Sequence, residues 1–497
     1  MKAQKLLKCL EYFVWGAMII LLPFTSVPLI TRLVRSDTVA APSGILLLFI
    51  VVFWLLPYFI KGGSLPRQTI PLLAFVLACV LSSALAYFMP LPAFKQIDLL
   101  RGNLQGLLTL AIGISFYLVL STWPAASDER FKFILLMVNI SGALVMLWSF
   151  VQAGVWYTYN RYPQWMRDIN ELYSIGTLYR QRVTGFTLEP SWLAHQLNMV
   201  YLPIWLAATV SRFSASRFRV WKISFENILL LGGIAVLLLT LSRVGLLAFL
   251  MMVAFLGLRG TLWFVSWLQK RISRTWQFSG WHLRWRKVLL SSLIILGVIV
   301  LYSGLLAGTA FAMMRLDRRM ETMFDFSKVT GPDAFFRYAE QLAFASRVAY
   351  WQVGWEVFND YPMFGVGLGN AGYFFQEKLS AYGSSLYEIR TLLFRAASLP
   401  NTKSLWTRIL AETGMLGFSL YICWLFLMWL SGRFLDKIPD KLSKTIGLTG
   451  QLVIIGLLLE GFSLDTFALP YIWFSLGLVT ALSGRTLSKD RDRIMEE

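Results

Sequence analysis

The stretch RQRVTGFTLEPSW, residues 180–192, places Arg180 and Arg182 a few positions ahead of Glu189 and Pro190, directly before an apolar run long enough to cross a bilayer. A guanidinium is planar and forked, and it matches phosphate oxygens two at a time. A carboxylate beside an apolar wall can have a raised pKa and accept a proton from a sugar hydroxyl. Glu189 also suits a purely structural part, because proline favours the first turn of a helix and a carboxylate there complements the helix dipole. Two further arginines have the same setting. Arg243 stands in LLLTLSRVGLLAFL, an almost loopless turn between apolar runs, and Arg347 opens the segment SRVAYWQVGWEVFNDYPMFGVGLGN. Each of the three could be an interfacial anchor that snorkels to the membrane surface. Together, at a low-dielectric boundary, they are what a lipid-linked diphosphate requires.

Other polar residues rank below these. Arg408 and Glu412 are one helical turn apart and are expected to form a buried structural pair. Glu460 and Asp465 lie near the end of an apolar run, where a carboxylate is costly enough to be a functional candidate or to be paired within the bundle. GLGNAG, residues 367–372, satisfies GxGxxG but follows no strand, and a turn is the expectation. His195 and His282 are the only histidines and do not suggest a metal site. Cys9, Cys79 and Cys423 show no paired spacing, so neither a disulfide framework nor a zinc site is indicated.

The elements that must position these groups are membrane helices. Hydrophobic residues make up 57% of the 497-residue chain against 15% charged, and apolar runs recur from end to end. The fold class expected is all-α and polytopic, with about twelve spans near 11–30, 44–60, 69–89, 102–121, 132–154, 189–210, 226–242, 244–258, 288–311, 404–430, 447–468 and 470–484. The N-terminus has the basic-then-apolar order of a signal peptide without a small-residue cleavage site, and it reads as an uncleaved first helix. The formal net charge of +19 could suggest nucleic acid. However, the Lys and Arg residues sit in short clusters between apolar runs, such as SRFSASRFRVWK and SGRFLDKIPDKLSK, and the positive-inside rule accounts for them. That puts both termini in the cytoplasm and two longer segments, 155–188 and 312–403, on the outer side. Within the second, Val348, Trp351, Trp355 and Phe358 recur at helical spacing, which predicts a helix lying on the membrane surface as a lid. No internal repeat is visible, so residues 1–497 read as one helical membrane domain with two external loops.

Four stretches in this order, RVTGFTLEPSW, LTLSRVG, SRVAYWQVGWEVFNDYPMFGVGLGN and NTKSLWTRILAETGMLGF, resemble the bacterial O-antigen ligase and polymerase superfamily, which is similar in fold to the shape, elongation, division and sporulation glycosyltransferases. The resemblance implies a glycosyltransferase of the bacterial cytoplasmic membrane. Its donor would be an oligosaccharide on undecaprenyl diphosphate, used at the outer face with neither cofactor nor metal ion. Its partners would be that donor, a glycan acceptor, membrane lipids and other polysaccharide-assembly proteins. By motif, Arg182 and Arg243 match the arginines expected to hold the diphosphate, with Glu189 as the base. Arg347, Trp351 and Asn401 fall on the substrate-binding part. Asn401 fits the asparagine of the His-Asn pair carried by ligases of the family, but Pro400 stands in the histidine's place. That points towards the polysaccharide polymerases, in which a LEPS-like stretch is typical. The alternatives are a ligase that transfers a finished glycan once, and a flippase or transporter of lipid-linked glycan.

Overall fold

A computed structural model of the chain describes residues 2–34, 41–95, 97–275, 281–316, 334–342, 344–395 and 399–496, together with Asp325 and Thr330. The longer helices are α1 (Lys2–Ile20), α2 (Pro28–Val34), α3 (Pro42–Ile60), α4 (Arg67–Phe88), α5 (Leu99–Ala126), α6 (Asp128–Tyr159), α7 (Gln164–Tyr173), α8 (190–211), α9 (Phe225–Leu239), α10 (Arg243–Thr275), α11 (Trp281–Leu316), α12 (Ala334–Gln341), α13 (Ala345–Asp360), α14 (Tyr387–Phe394), α15 (Leu405–Lys437), α16 (Lys441–Glu460) and α17 (Tyr471–Glu496). The only β-structure among the described residues is a two-residue hairpin pairing Arg219–Val220 with Ile223–Ser224 and one isolated bridge, Ser26 to Ser174. The chain is therefore an all-α polytopic membrane protein.

Among the described residues, eight helices are long and apolar enough to cross a membrane: α3, α4, α5, α6, the 243–268 part of α10, the 292–311 part of α11, α15 and α16. They coincide with eight of the twelve expected spans. The other four expectations fall on helices that are shorter or more polar. The expected span 11–30 ends early, because α1 stops at Ile20 and Pro23 and Pro28 bracket a turn before α2. The run 189–210 is helical but contains a π-turn at Leu197–Tyr201 and carries His195, Gln196 and Asn198 inward. α9 has only 15 residues, and the run 470–484 falls within α17, which continues into the basic tail.

Packing sorts the spans. In α16, 78% of the most apolar window is buried, and α8, α10 and α15 all pack on this central helix. The corresponding window of α11 has none of its residues buried, so that helix lies at the periphery with apolar side chains turned outward, as lipid-facing helices do. The two ends of the bundle differ in chemistry. At one end the basic segment 212–224 meets the start of α16, where Ser211 Oγ and Thr445 Oγ1 are 2.6 Å apart. At the other end lie the starts of α8, α10 and α15, the end of α16 and the segments 160–189, 334–342, 344–395 and 399–403. They are joined by bonds such as Val183 N to Leu239 O and Leu405 N to Gly461 O.

Two local expectations need correction. α13 does not present Val348, Trp351, Trp355 and Phe358 as a membrane-facing stripe. Val348 and Phe358 are buried, and the most deeply buried residues are Ala349, Tyr350, Val353 and Val357, which form a second core with Phe94, Phe374 and Ala411. Gly354 permits the close packing: a β-carbon there would stand 2.8 Å from the Thr402 side chain and 3.1 Å from that of Thr407, in the first turn of α15. The GLGNAG segment is a turn as expected, but it is buried inside the protein. Gly367 and Gly369 take left-handed φ of 91° and 87°, and the Gly367 and Leu368 amides donate to Ser82 and Ser83 on α4. The side chain of His282, the second of the two histidines, lies outside the described residues.

Candidate functional site

Arg182 and Arg243 are brought onto one short turn. The Arg182 guanidinium donates through Nε to the Thr240 carbonyl at 2.9 Å and lies 5.8 Å from the Tyr179 ring. Three residues after Thr240, Arg243 is the first residue of α10, and Ser242 accepts the Gly245 amide through its hydroxyl, as a capping serine does. Arg243 reaches across to the Leu342 carbonyl, tying the start of α10 to the end of α12. A cation in the first turn of a helix opposes the dipole by roughly 0.3 to 1 kcal/mol, so the position costs stability unless other interactions offset it.

Glu189 occupies the N-cap position of α8 with extended backbone, yet its carboxylate makes no capping bond to the helix amides. It accepts only from the Ser191 hydroxyl, at 2.7 Å, among the described hydrogen bonds, and the side chain is half-buried. Burial pushes the nearby Tyr179 phenol above its ordinary value, the Glu189 charge adds to that shift, and Arg182 opposes it. Glu189 and Arg182 therefore flank the same tyrosine.

The second group is built on the starts of α13 and α15. Arg347, in the first turn of α13, donates to the Lys403 carbonyl at 3.3 Å. Lys403 Nζ is 3.3 Å from Asp465 Oδ2, and Arg408 donates to the Asp465 main-chain carbonyl while its Nε holds Glu412 at 2.9 Å. Burial disfavours the Asp465 carboxylate. The three neighbouring cations, Lys403, Arg408 and Arg347, outweigh that penalty and hold its pKa below the ordinary value. Asn401 acts within this loop, its side-chain oxygen accepting the Lys403 amide at 3.1 Å. Trp351 lies between the Phe344 and Phe462 rings, at 5.1 and 5.3 Å, and its indole N–H has no acceptor among the described residues.

The two groups are joined through short links. Arg243 is bonded to Leu342, Phe344 packs on Trp351, and Trp351 packs on Phe462, which lies between Glu460 and Asp465 in the 460–465 segment. Glu460 itself is 2% exposed and satisfied inside the bundle: Asn198 donates to Oε1 at 2.6 Å, and His195 Nδ1 stands 3.5 Å from Oε2. It is a partner of α8, as the pairing alternative expected. Arg408 and Glu412 likewise form the anticipated buried pair.

Sequence reasoning missed Lys403, although it lies inside a quoted motif, NTKSLW. It also had no access to the backbone. Gln181, Leu241 and Lys403 are non-glycine residues with left-handed φ of 61°, 48° and 52°. They flank Arg182, stand between Thr240 and Arg243, and supply the carbonyl that Arg347 uses. Such conformations cost about 1 to 3 kcal/mol each and collect at functional sites.

Among known proteins, the family model described as O-antigen ligase matches residues 228–422, a stretch that holds Arg243, Arg347, Trp351, Asn401 and Lys403. No curated protein matches the chain. The family match supports the O-antigen ligase and polymerase superfamily.

Proposed function

We propose that this chain, a membrane enzyme of the O-antigen ligase and polymerase type, joins undecaprenyl-diphosphate-linked oligosaccharide repeat units into a cell-surface polysaccharide on the outer face of the bacterial cytoplasmic membrane, with both termini in the cytoplasm. The observation that carries the reading is the pair of basic helix starts. α10 and α13 each place an arginine in a first turn that contains no acidic residue, at the same end of the bundle, where helix dipole and guanidinium charge add. Anions bind at such places, and a diphosphate leaving group is the anion this family's chemistry needs.

In this reading the acceptor hydroxyl gives its proton to Glu189 as its oxygen attacks the anomeric carbon of the donor from the face opposite the diphosphate. The new glycosidic bond forms as the carbon–oxygen bond to the diphosphate breaks, and the configuration inverts. The electron pair goes to the diphosphate oxygen, whose growing charge Arg182 and Arg243 stabilise, without a metal ion. Arg347, Trp351 and Asn401 belong to the substrate-binding wall. Other polysaccharide-assembly proteins would receive the product. Pro400, where ligases of the family carry histidine, favours the polymerase, whereas the family description favours a ligase making a single transfer. Reconstitution with a defined lipid-linked repeat unit separates them on a gel. A ladder supports the polymerase, one added glycan supports the ligase, and unchanged glycan moved to the opposite leaflet would refute both in favour of a flippase.

A further inference from the structure

A cleft of about 1240 Å³ lies beside the candidate site, between α2, the end of α6, α7 and the segment 174–181. Its rim carries four arginines, Arg32, Arg161, Arg167 and Arg180, against one carboxylate, Glu171. Among the described residues Arg32, Arg161 and Arg180 have no acidic partner, and Arg167 is engaged by the neutral Gln164 at 2.6 Å. The floor differs in character from the rim: Trp156, Tyr162 and Asn170 are all buried. Asn170 pins the Gly176 carbonyl at 2.6 Å, and the segment is further held by the Ile175 amide on the Ser26 carbonyl. The cleft therefore has a fixed aromatic and amide floor under a ring of cations.

We infer that this cleft is a glycan subsite that recognises a carboxylate-bearing oligosaccharide, the sugar chain of a substrate whose reacting end lies at Arg182 and Glu189. Three observations carry it. The volume exceeds the roughly 300 to 1,000 Å³ of a pocket for a single drug-sized molecule, and it far exceeds what one phosphate would fill. Aromatic faces and side-chain amides are the groups that hold sugar rings and hydroxyls, and arginine forks add carboxylate recognition. The cleft is also joined to the candidate site through one tyrosine: Tyr162 on its floor donates to the Tyr179 carbonyl at 3.0 Å, the Tyr179 ring is the one that Arg182 approaches, and Arg180 and Gln181 on the lining directly precede Arg182 in the chain. The inference deepens the proposed function by naming a substrate class, and it rests on that reading only for which end of the glycan reacts.

The test is calorimetric titration of the full chain in phosphatidylcholine nanodiscs with tetragalacturonic acid, and in parallel with neutral maltotetraose. The acidic tetramer should bind at least about ten times more tightly than the neutral one, and binding should weaken as salt rises, because the arginines are exposed. Arg161→Gln combined with Arg180→Gln should weaken it at least about tenfold. Equal binding of the neutral tetramer, insensitivity to salt, or an unaltered double variant would overturn the subsite. So would suppression of the acidic tetramer's binding when phosphatidylglycerol is added to the discs, since that would identify a lipid headgroup site. The salt titration uses the wild-type chain and decides the matter even where the double variant does not fold. A protein that builds the polymer ladder but ignores the acidic tetramer loses the subsite alone. One that binds the tetramer but forms no glycosidic bond loses the transferase reading alone.

Discussion

Glu189→Gln separates a helix cap from a general base, and the structure sets the size of each effect. The carboxylate makes no bond to the first-turn amides of α8, so a structural Glu189 contributes only its charge against the helix dipole, about 0.3 to 1 kcal/mol. Glutamine keeps the volume and can still accept from the Ser191 hydroxyl. Folding and donor binding should therefore be almost unchanged, because the arginines remain. If Glu189 takes the acceptor proton, its loss should slow transfer by roughly 10² to 10⁴, equivalent to about 3 to 5 kcal/mol of barrier. The assay is the initial rate of chain growth on a defined lipid-linked repeat unit, with thermal stability and donor affinity measured on the same preparation. A stable variant that grows the ladder at the wild-type rate would falsify the assignment. The other acids are weaker candidates on physical grounds. Asp465 is held ionised by Lys403, Arg408 and Arg347, which makes it a poor proton acceptor, and Glu460 is enclosed between Asn198 and His195.

Three further outcomes are expected. Arg243→Lys should lower activity at least about tenfold despite keeping the charge, because an ammonium cannot reproduce a planar fork that reaches Leu342 and still faces a diphosphate; full activity would remove Arg243 from the site. Asp465 has a depressed pKa in the folded protein, so its stabilising contribution is fully present above the ordinary aspartate value of 3.8 and is lost as pH falls below that towards the folded value. Thermal stability of Asp465→Asn should accordingly lie below wild type at pH 7 and converge with it in strong acid, and a constant gap across that range would contradict the ion-pair account. In a cysteine-free background, a cysteine at Ser384 should react with a membrane-impermeant thiol reagent in intact cells and one at Ser214 should not; the reverse pattern would invert the topology and the outer-face site with it.

How much of this was legible beforehand depends on what each signal measures. Hydropathy located eight of the expected spans because lipid and protein interior both demand apolar side chains, and for the same reason it could not say which face of α13 is packed against the rest of the protein. The answer lay in Gly354, whose missing side chain lets α13 approach Thr402. Motif spacing singled out Arg182, Arg243 and Arg347 as candidates and passed over Lys403, since a lysine in a loop has no periodicity. Its importance comes from Asp465, 62 positions away in sequence and 3.3 Å away in space. The turn at 240–243 was readable as short, but not as left-handed at Leu241, because a leucine gives no hint of positive φ.

One distinction among the arginines was readable and is sharpened by the fold. Arg243, Arg347 and Arg408 all stand in the first turn of a helix, where a cation opposes the dipole. Arg408 has a glutamate four residues on, and the pair closes at 2.9 Å inside the protein, so its charge is neutralised locally. The corresponding positions after Arg243 are Leu246 and Leu247, and those after Arg347 are Tyr350 and Trp351. None of these can neutralise a guanidinium along its own helix. Arg243 donates to the Leu342 main-chain carbonyl and Arg347 to that of Lys403, and such a carbonyl orients a guanidinium. In the proposed reading these helix starts hold the diphosphate, and the left-handed residues that carry the Thr240 and Lys403 carbonyls fix the groups on which Arg182 and Arg347 lean.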